Sequence, residues 1–150
     1  MLTQIIAHRG SKGTRPENTL PAFIAAIEDG ADGIETDVHL SRDGQLIIMH
    51  DELVDRTTNG TGRIVDHTLV ELKQLDAGVK YASAYAGTRI PTLDEVVQLL
   101  IQYNFTGIFN LEIKTNKIHY EGIEDLVADY FNHHQVPFTL IYSSFYGKSI

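Results

Sequence analysis

Apolar residues return along this chain in two periods. Short apolar runs with polar residues at alternate positions have the period of strands, and longer segments with apolar residues every three or four positions have that of helices. Ile5-Ile6-Ala7-His8-Arg9-Gly10 reads as a short buried strand ending in polar residues and glycine, and Ser11 to Pro16 as loop. Leu20, Phe23, Ile24, Ile27 and Ala31 then fall at helical spacing, with Asn18 or Thr19 as N-cap and Gly30 as a stop. Gly33 to Leu40 is a strand with Ile34, Val38 and Leu40 on one face and Glu35, Asp37 and His39 on the other. Ser41-Arg42-Asp43-Gly44 is turn chemistry, and Gln45 to Met49 is an apolar strand running into His50-Asp51.

From Glu52 to about Arg89 the pattern is irregular and reads as an insertion between regular units. Within it Thr57 to Gly62 is loop, and Thr68 with Glu71 resembles a capping box before Leu69, Leu72 and Leu75. Thr92-Leu93-Asp94-Glu95 repeats that box and opens a helix with Leu93, Val96, Val97 and Leu100 on one face. Gly107 to Lys114 is a strand. Ile123, Leu126, Val127, Tyr130 and Phe131 mark a helix, and Pro137 to Tyr142 a last strand before Ser143-Ser144-Phe145. Strands alternating with helices predict parallel βα units, whose active sites gather at the C-terminal edge of the strands. His8 and Arg9, Glu35 and Asp37, His50 and Asp51, Glu112 and Lys114, and Ser143 and Ser144 all fall near such ends.

Charge narrows the partners. Twelve Lys and Arg against twenty Asp and Glu give a net charge of −8, which argues against nonspecific nucleic-acid binding or docking on an anionic membrane. Nothing approaches a transmembrane span, and the N-terminus has no basic region ahead of its brief apolar run. The absence of cysteine fits a chain of 150 residues that needs no disulfides. The expectation is a cytoplasmic protein acting on a small molecule.

Glu35 and Asp37 lie side by side on one strand face, where their repulsion is relieved by a hard cation such as Mg²⁺ or Ca²⁺. The alternative is a solvent-facing strand with two ordinary acids. Glu112 is the natural third carboxylate, and Lys114 either holds an anion or pairs with Glu112. Two histidines at separate strand ends suit general acid and general base, against the alternative of two core histidines. Arg9 offers the planar fork suited to phosphate. Together these groups describe hydrolysis of a phosphate ester.

His8-Arg9-Gly10, Glu17-Asn18-Thr19, Gly30-Ala31-Asp32 to Glu35-Thr36-Asp37-Val38, Asp43-Gly44, His50-Asp51 and Leu111-Glu112-Ile113-Lys114 follow one another in an order that resembles the glycerophosphodiester phosphodiesterase family. The match runs from residue 7 to about residue 145, and the stretch from Glu52 to Arg89 sits where that family carries a small insertion. The resemblance implies a TIM barrel and one divalent cation, Ca²⁺ or Mg²⁺, held by Glu35, Asp37 and Glu112. It implies His8 and His50 as the acid–base pair, Arg9 and Lys114 near the phosphate, and Glu17, Asn18 and Asp51 in support. The reaction it implies converts a glycerophosphodiester to sn-glycerol 3-phosphate and an alcohol. His39, His67, His119, His133 and His134 match no motif position and are expected to be surface or structural. Tyr81 and Tyr85 are expected to pack, with substrate contact as the alternative.

Length sets the chain apart. Strands ending at residues 8, 38, 50, 113 and 142 make five of the eight a barrel uses. Residues 1–150 are therefore expected to form one catalytic domain, the N-terminal part of a barrel, with its insertion at about 52–89. The strands at Ile5 to His8 and Pro137 to Tyr142 are expected to be open edges that favour self-association, with Ile108 or Leu140 exposed. A related phospholipase and a non-catalytic metal- or phosphate-binding fragment are the competing readings.

Overall fold

A computed structural model describes residues 4–115, 120 and 122–146, with the backbone alone described at 114, 115 and 144–146. Among the described residues five strands form: β1 (Ile6–His8), β2 (Gly33–Leu40), β3 (Leu46–Ile48), β4 (Ile108–Thr115) and β5 (Thr139–Tyr146). Four helices accompany them: α1 (Leu20–Glu28), α2 (Leu69–Lys73), α3 (Leu93–Gln102) and α4 (Ile123–Asn132). Two 3₁₀ turns, Ile64–Asp66 and Ser83–Tyr85, lie in the insertion.

Alternation in β2 and β4 decides where the core sits. Ile34, Val38, Phe109, Leu111 and Ile113 leave one face of the sheet and are fully buried. Phe23 and Ala26 of α1, Leu93, Val96, Val97 and Leu100 of α3, and Ile123 and Val127 of α4 cover that face in one cluster. Both capping boxes are formed. Thr68 and Thr92 accept from the backbone N–H of Glu71 and Glu95, whose side chains accept in return from the cap backbones. Thr19 is the N-cap of α1.

The sheet runs β1-β2-β4-β5, all parallel, as in the opening units of a (β/α)8 barrel. The expected five strands are present, but β3 is not a further parallel unit: it pairs antiparallel with β2, Leu40 opposite Leu46 and Val38 opposite Ile48. The cause is the length of the connection. A parallel neighbour needs a crossover of about a dozen residues or more, whereas Ser41 closes a tight turn, its N–H donating to the Gln45 carbonyl at 2.9 Å. Val38 also pairs with Ile113 of β4, so β3 occupies the other edge of β2, beyond the end of the short β1.

Among the described residues β1 and β5 end the sheet, as expected. Of the two apolar side chains expected to be open, Ile108, on the carboxylate face, is half-buried. Leu140 packs against the helix-side core, while Ile6 and Ile141, on the other face, are 42% and 49% exposed. The insertion has its own small core, in which Val54, Ile64, Leu72 and Ala77 pack on Ile47 and Met49. Among the described residues no helix is long and apolar enough to cross a membrane.

Candidate active site

Parallel register builds the site row by row on the face away from the helices. His8 stands opposite Glu35, and Glu35 opposite Asn110. One step further along, Asp37 stands opposite Glu112, and Glu112 opposite Ser143. Glu35, Asp37 and Glu112 thus each bring a carboxylate oxygen within 4.8 Å of the other two. Asp37 is fully buried. Asn18 orients it, donating from Nδ2 to Oδ2 at 3.4 Å while its own Oδ1 accepts from Thr36 Oγ1 at 2.6 Å. Glu35 Oε1 is buried without a hydrogen bond; His8 Nε2 stands 3.4 Å away but out of line for one. Three converging carboxylates, one with an unsatisfied buried oxygen, are the donor set a hard divalent cation takes. The residues fit such an ion.

The β1–α1 connection supplies the next groups. Arg9 (φ 57°) and Gly10 (φ 73°) turn the chain sharply off the end of β1. Gly10 is required twice over, because a Cβ there would also lie 2.8 Å from the Ala22 backbone. Arg9 adopts the left-handed region despite its side chain, which places its N–H on the Glu35 carbonyl at 2.8 Å. Its guanidinium makes long contacts to Glu17 at 3.4 and 3.5 Å, and its buried Nε has no hydrogen bond. Burial lowers the pKa of His8, Glu35 opposes that, and the charges of Arg9, Lys12 and His50 add to the lowering.

His50 arrives by the hairpin. β3 reverses the chain, so Met49 N–H donates to the Asp37 carbonyl at 3.1 Å, and the His50 carbonyl that follows meets the His39 ring at 2.9 Å. Its Nδ1 bonds Asp51 Oδ1 at 2.8 Å. Arg56, in the insertion, holds Asp51 through Nε to Oδ2 at 2.8 Å and Nη2 to Oδ1 at 3.1 Å. The same guanidinium grips Glu17 at 3.0 and 2.8 Å. The Arg56 hydrogen bonds bring the Asp51 pKa down to about 2 against the opposing effect of burial, with His50 helping. Burial raises the Glu17 pKa, but the Arg56 bond and charge, with Arg9, outweigh it and leave the pKa below the usual range.

Sequence reasoning gave no role to Arg56, and expected His39 to be surface or structural. His39 is fully buried; its Nε2 meets the His50 carbonyl at 2.9 Å and its Nδ1 the Tyr120 hydroxyl at 2.9 Å. Its place two residues after Asp37, on the same strand face, was the available signal. Arg56, which follows Leu53, Val54 and Asp55 in the irregular stretch, carried no periodic signal. His67, His133 and His134 bond nearby backbone carbonyls, as structural residues do. Tyr81 donates to the Gly13 carbonyl and stacks edge-on with Tyr85. Lys114 follows Glu112 by two on β4, opposite Phe145; its side chain, like His119, lies outside the described residues.

The glycerophosphoryl diester phosphodiesterase family model matches residues 8–150. The chain belongs to that family. A glycerophosphodiester phosphodiesterase of Caldanaerobacter subterraneus is 49% identical over the whole chain, which covers 61% of that relative. One from Bacillus altitudinis is 42% identical over 99% of the chain and 60% of its own length. Among solved structures, an Oleispira antarctica phosphodiesterase in complex with the product sn-glycerol-3-phosphate matches with a TM-score of 0.84 and 41% identity, over 96% of this chain and 58% of that one. A glycerophosphodiester phosphodiesterase from Agrobacterium tumefaciens matches with a TM-score of 0.81 and 33% identity, over 98% and 60%. The family member described here spans about 60% of the length of the curated relatives it matches.

Proposed function

We propose that these residues are the site-bearing part of a metal-dependent hydrolase that converts glycerophosphodiesters to sn-glycerol 3-phosphate and an alcohol. The observation that carries this reading is the convergence of Glu35, Asp37 and Glu112 on the face where His8 stands beside Glu35, within electrostatic reach of His50. The carboxylates would hold one divalent cation, Ca²⁺ or Mg²⁺, which when bound offsets charge developing on the phosphoryl oxygens.

The two histidines then move protons. Asp51, with a pKa near 2, is ionised at neutral pH, so the proton it shares with His50 resides on Nδ1. His50 Nε2 is left as the reactive nitrogen. One histidine takes the proton of the attacking hydroxyl as the new P–O bond forms. The other gives a proton to the alkoxide as the old P–O bond breaks. Arg9 and Lys114 would hold the non-bridging oxygens, and Glu17 and Asn18 would keep Arg9 and Asp37 in place. Residues 1–150 would act as one domain with its insertion at 52–89, in the cytoplasm, on a small soluble diester rather than a nucleic acid or a membrane. The open edges β1 and β5 favour self-association.

The test is release of glycerol 3-phosphate from glycerophosphocholine, glycerophosphoethanolamine and glycerophosphoglycerol, with and without EDTA. EDTA-sensitive release supports the reading. A chain that binds the cation yet releases no product is instead a binding fragment, a reading favoured by its spanning about 60% of its relatives. Release from intact phospholipid alone would replace the substrate class.

A further inference from the structure

We infer that Arg56 is a positioning residue that locks His50 into its Nδ1–H tautomer and ties the insertion to the β1–α1 connection that follows His8. One guanidinium makes four contacts, two to Asp51 and two to Glu17, from 2.8 to 3.1 Å. Asp51 in turn bonds His50 Nδ1, while Glu17 also meets Arg9, the residue after His8. The β1–α1 loop, the end of the β3 hairpin and the insertion therefore meet at one planar cation.

Geometry makes the role specific to arginine. The fork uses both edges at once, Nε with Nη2 toward Asp51 and Nη1 with Nη2 toward Glu17. A lysine ammonium has the charge but not the fixed fork. The Asp51 side chain is 29% exposed, so Asp51 does not need neutralising merely to be buried, whereas Glu17, 14% exposed, also has its charge offset by Arg56. What the contacts supply to Asp51 is direction. Without Arg56, Asp51 has one remaining partner on the neighbouring residue and is free to turn to water; the His50 ring then loses the acceptor that fixes which nitrogen carries the proton. The clamp also borders a cavity of about 220 Å³ lined by Lys12, Arg56, Lys80 and Tyr81, so the insertion reaches the site's margin.

The catalytic consequence rests on the diester-hydrolysis reading above; the clamp itself does not, and it is testable without turnover. Imidazole ¹⁵N spectra of the whole chain should show His50 as a single Nδ1–H tautomer at neutral pH. In Arg56→Gln and Arg56→Lys, His50 should shift to signals averaged between tautomers, while His39 and His67 keep theirs and so report an intact fold. Asp51→Asn should give the same His50 change, with no further change on adding Arg56→Gln. Where the chain turns over a diester, kcat should fall roughly 10- to 100-fold in Arg56→Gln with KM little altered, the size usual for partners that orient a site side chain. An unchanged His50 signature in either Arg56 variant would overturn the inference. So would the joint loss of all histidine signatures in both variants, because Arg56 would then hold the fold rather than the ring.

Discussion

Asp37 and Glu112 face each other across the parallel β2–β4 ladder, one step beyond the pair formed by Glu35 and Asn110. Opposed carboxylates on neighbouring strands push the strands apart unless a cation lies between them. Ca²⁺ or Mg²⁺ should therefore raise the melting temperature, by about 2.7 kcal/mol of added stability at a hundredfold excess over Kd. Asp37→Asn and Glu112→Gln should each lose most of that gain in a thermal-shift titration. An equal shift in wild type and both variants would place the ion elsewhere.

His8 and His50 reach the site by different routes, one at the end of a parallel strand and one off a hairpin. Removing either should lower turnover by roughly 10²- to 10⁴-fold while leaving cation binding, read calorimetrically, in place. His67→Ala is the control and should change little, since its ring bonds the nearby Arg63 carbonyl. Full turnover in His8→Ala or His50→Ala would remove that histidine from the reaction.

Acid should loosen the clamp. The Asp51 pKa is depressed in the folded chain, from 3.8 to about 2, so its contribution is present above the unfolded value and lost as pH falls from about 4 through about 2. Because Asp51 is partly exposed, solvent screening keeps that contribution to about 1 kcal/mol or less. Urea unfolding followed between pH 5 and 2 should show the loss, and Asp51→Asn should flatten it. A variant with the same slope as wild type would mean that other carboxylates dominate acid unfolding.

The open face of the sheet should be sticky. Ile6 and Ile141 are exposed on the same face, at the two edge strands. Size-exclusion chromatography at increasing concentration should show association, and Ile141→Lys should reduce it. A strictly monomeric wild type would argue that the edges are protected.

What the sequence made legible follows from the range of the interactions. The helix α3 was readable in full: its cap is made by Thr92 and Glu95 three residues apart, and Leu93, Val96, Val97 and Leu100 are buried as their spacing requires. The carboxylate rows were readable because strand parity alone puts Glu35 and Asp37, or Asn110 and Glu112, on one face. The direction of β3 was misread from its apolar run, although the short turn from Ser41 already forbade a parallel crossover. Arg56 was not legible. Its partners Glu17 and Asp51 meet it through loop geometry, which leaves no period in the sequence.

The hairpin at Ser41–Gln45 also sorts the site in time. Pairing β2 with β3 closes only the short loop from Leu40 to Leu46, so Asp37, His39 and His50 are brought together by contacts among near neighbours in the chain. Glu112 reaches Asp37 only after the whole insertion and α3 have been looped out between β2 and β4. Loop-closure entropy and contact order place the first event early in folding and the second late. A nascent chain thus assembles its histidine and first two carboxylates before the third carboxylate joins them, and the insertion carrying Arg56 lies between the two events.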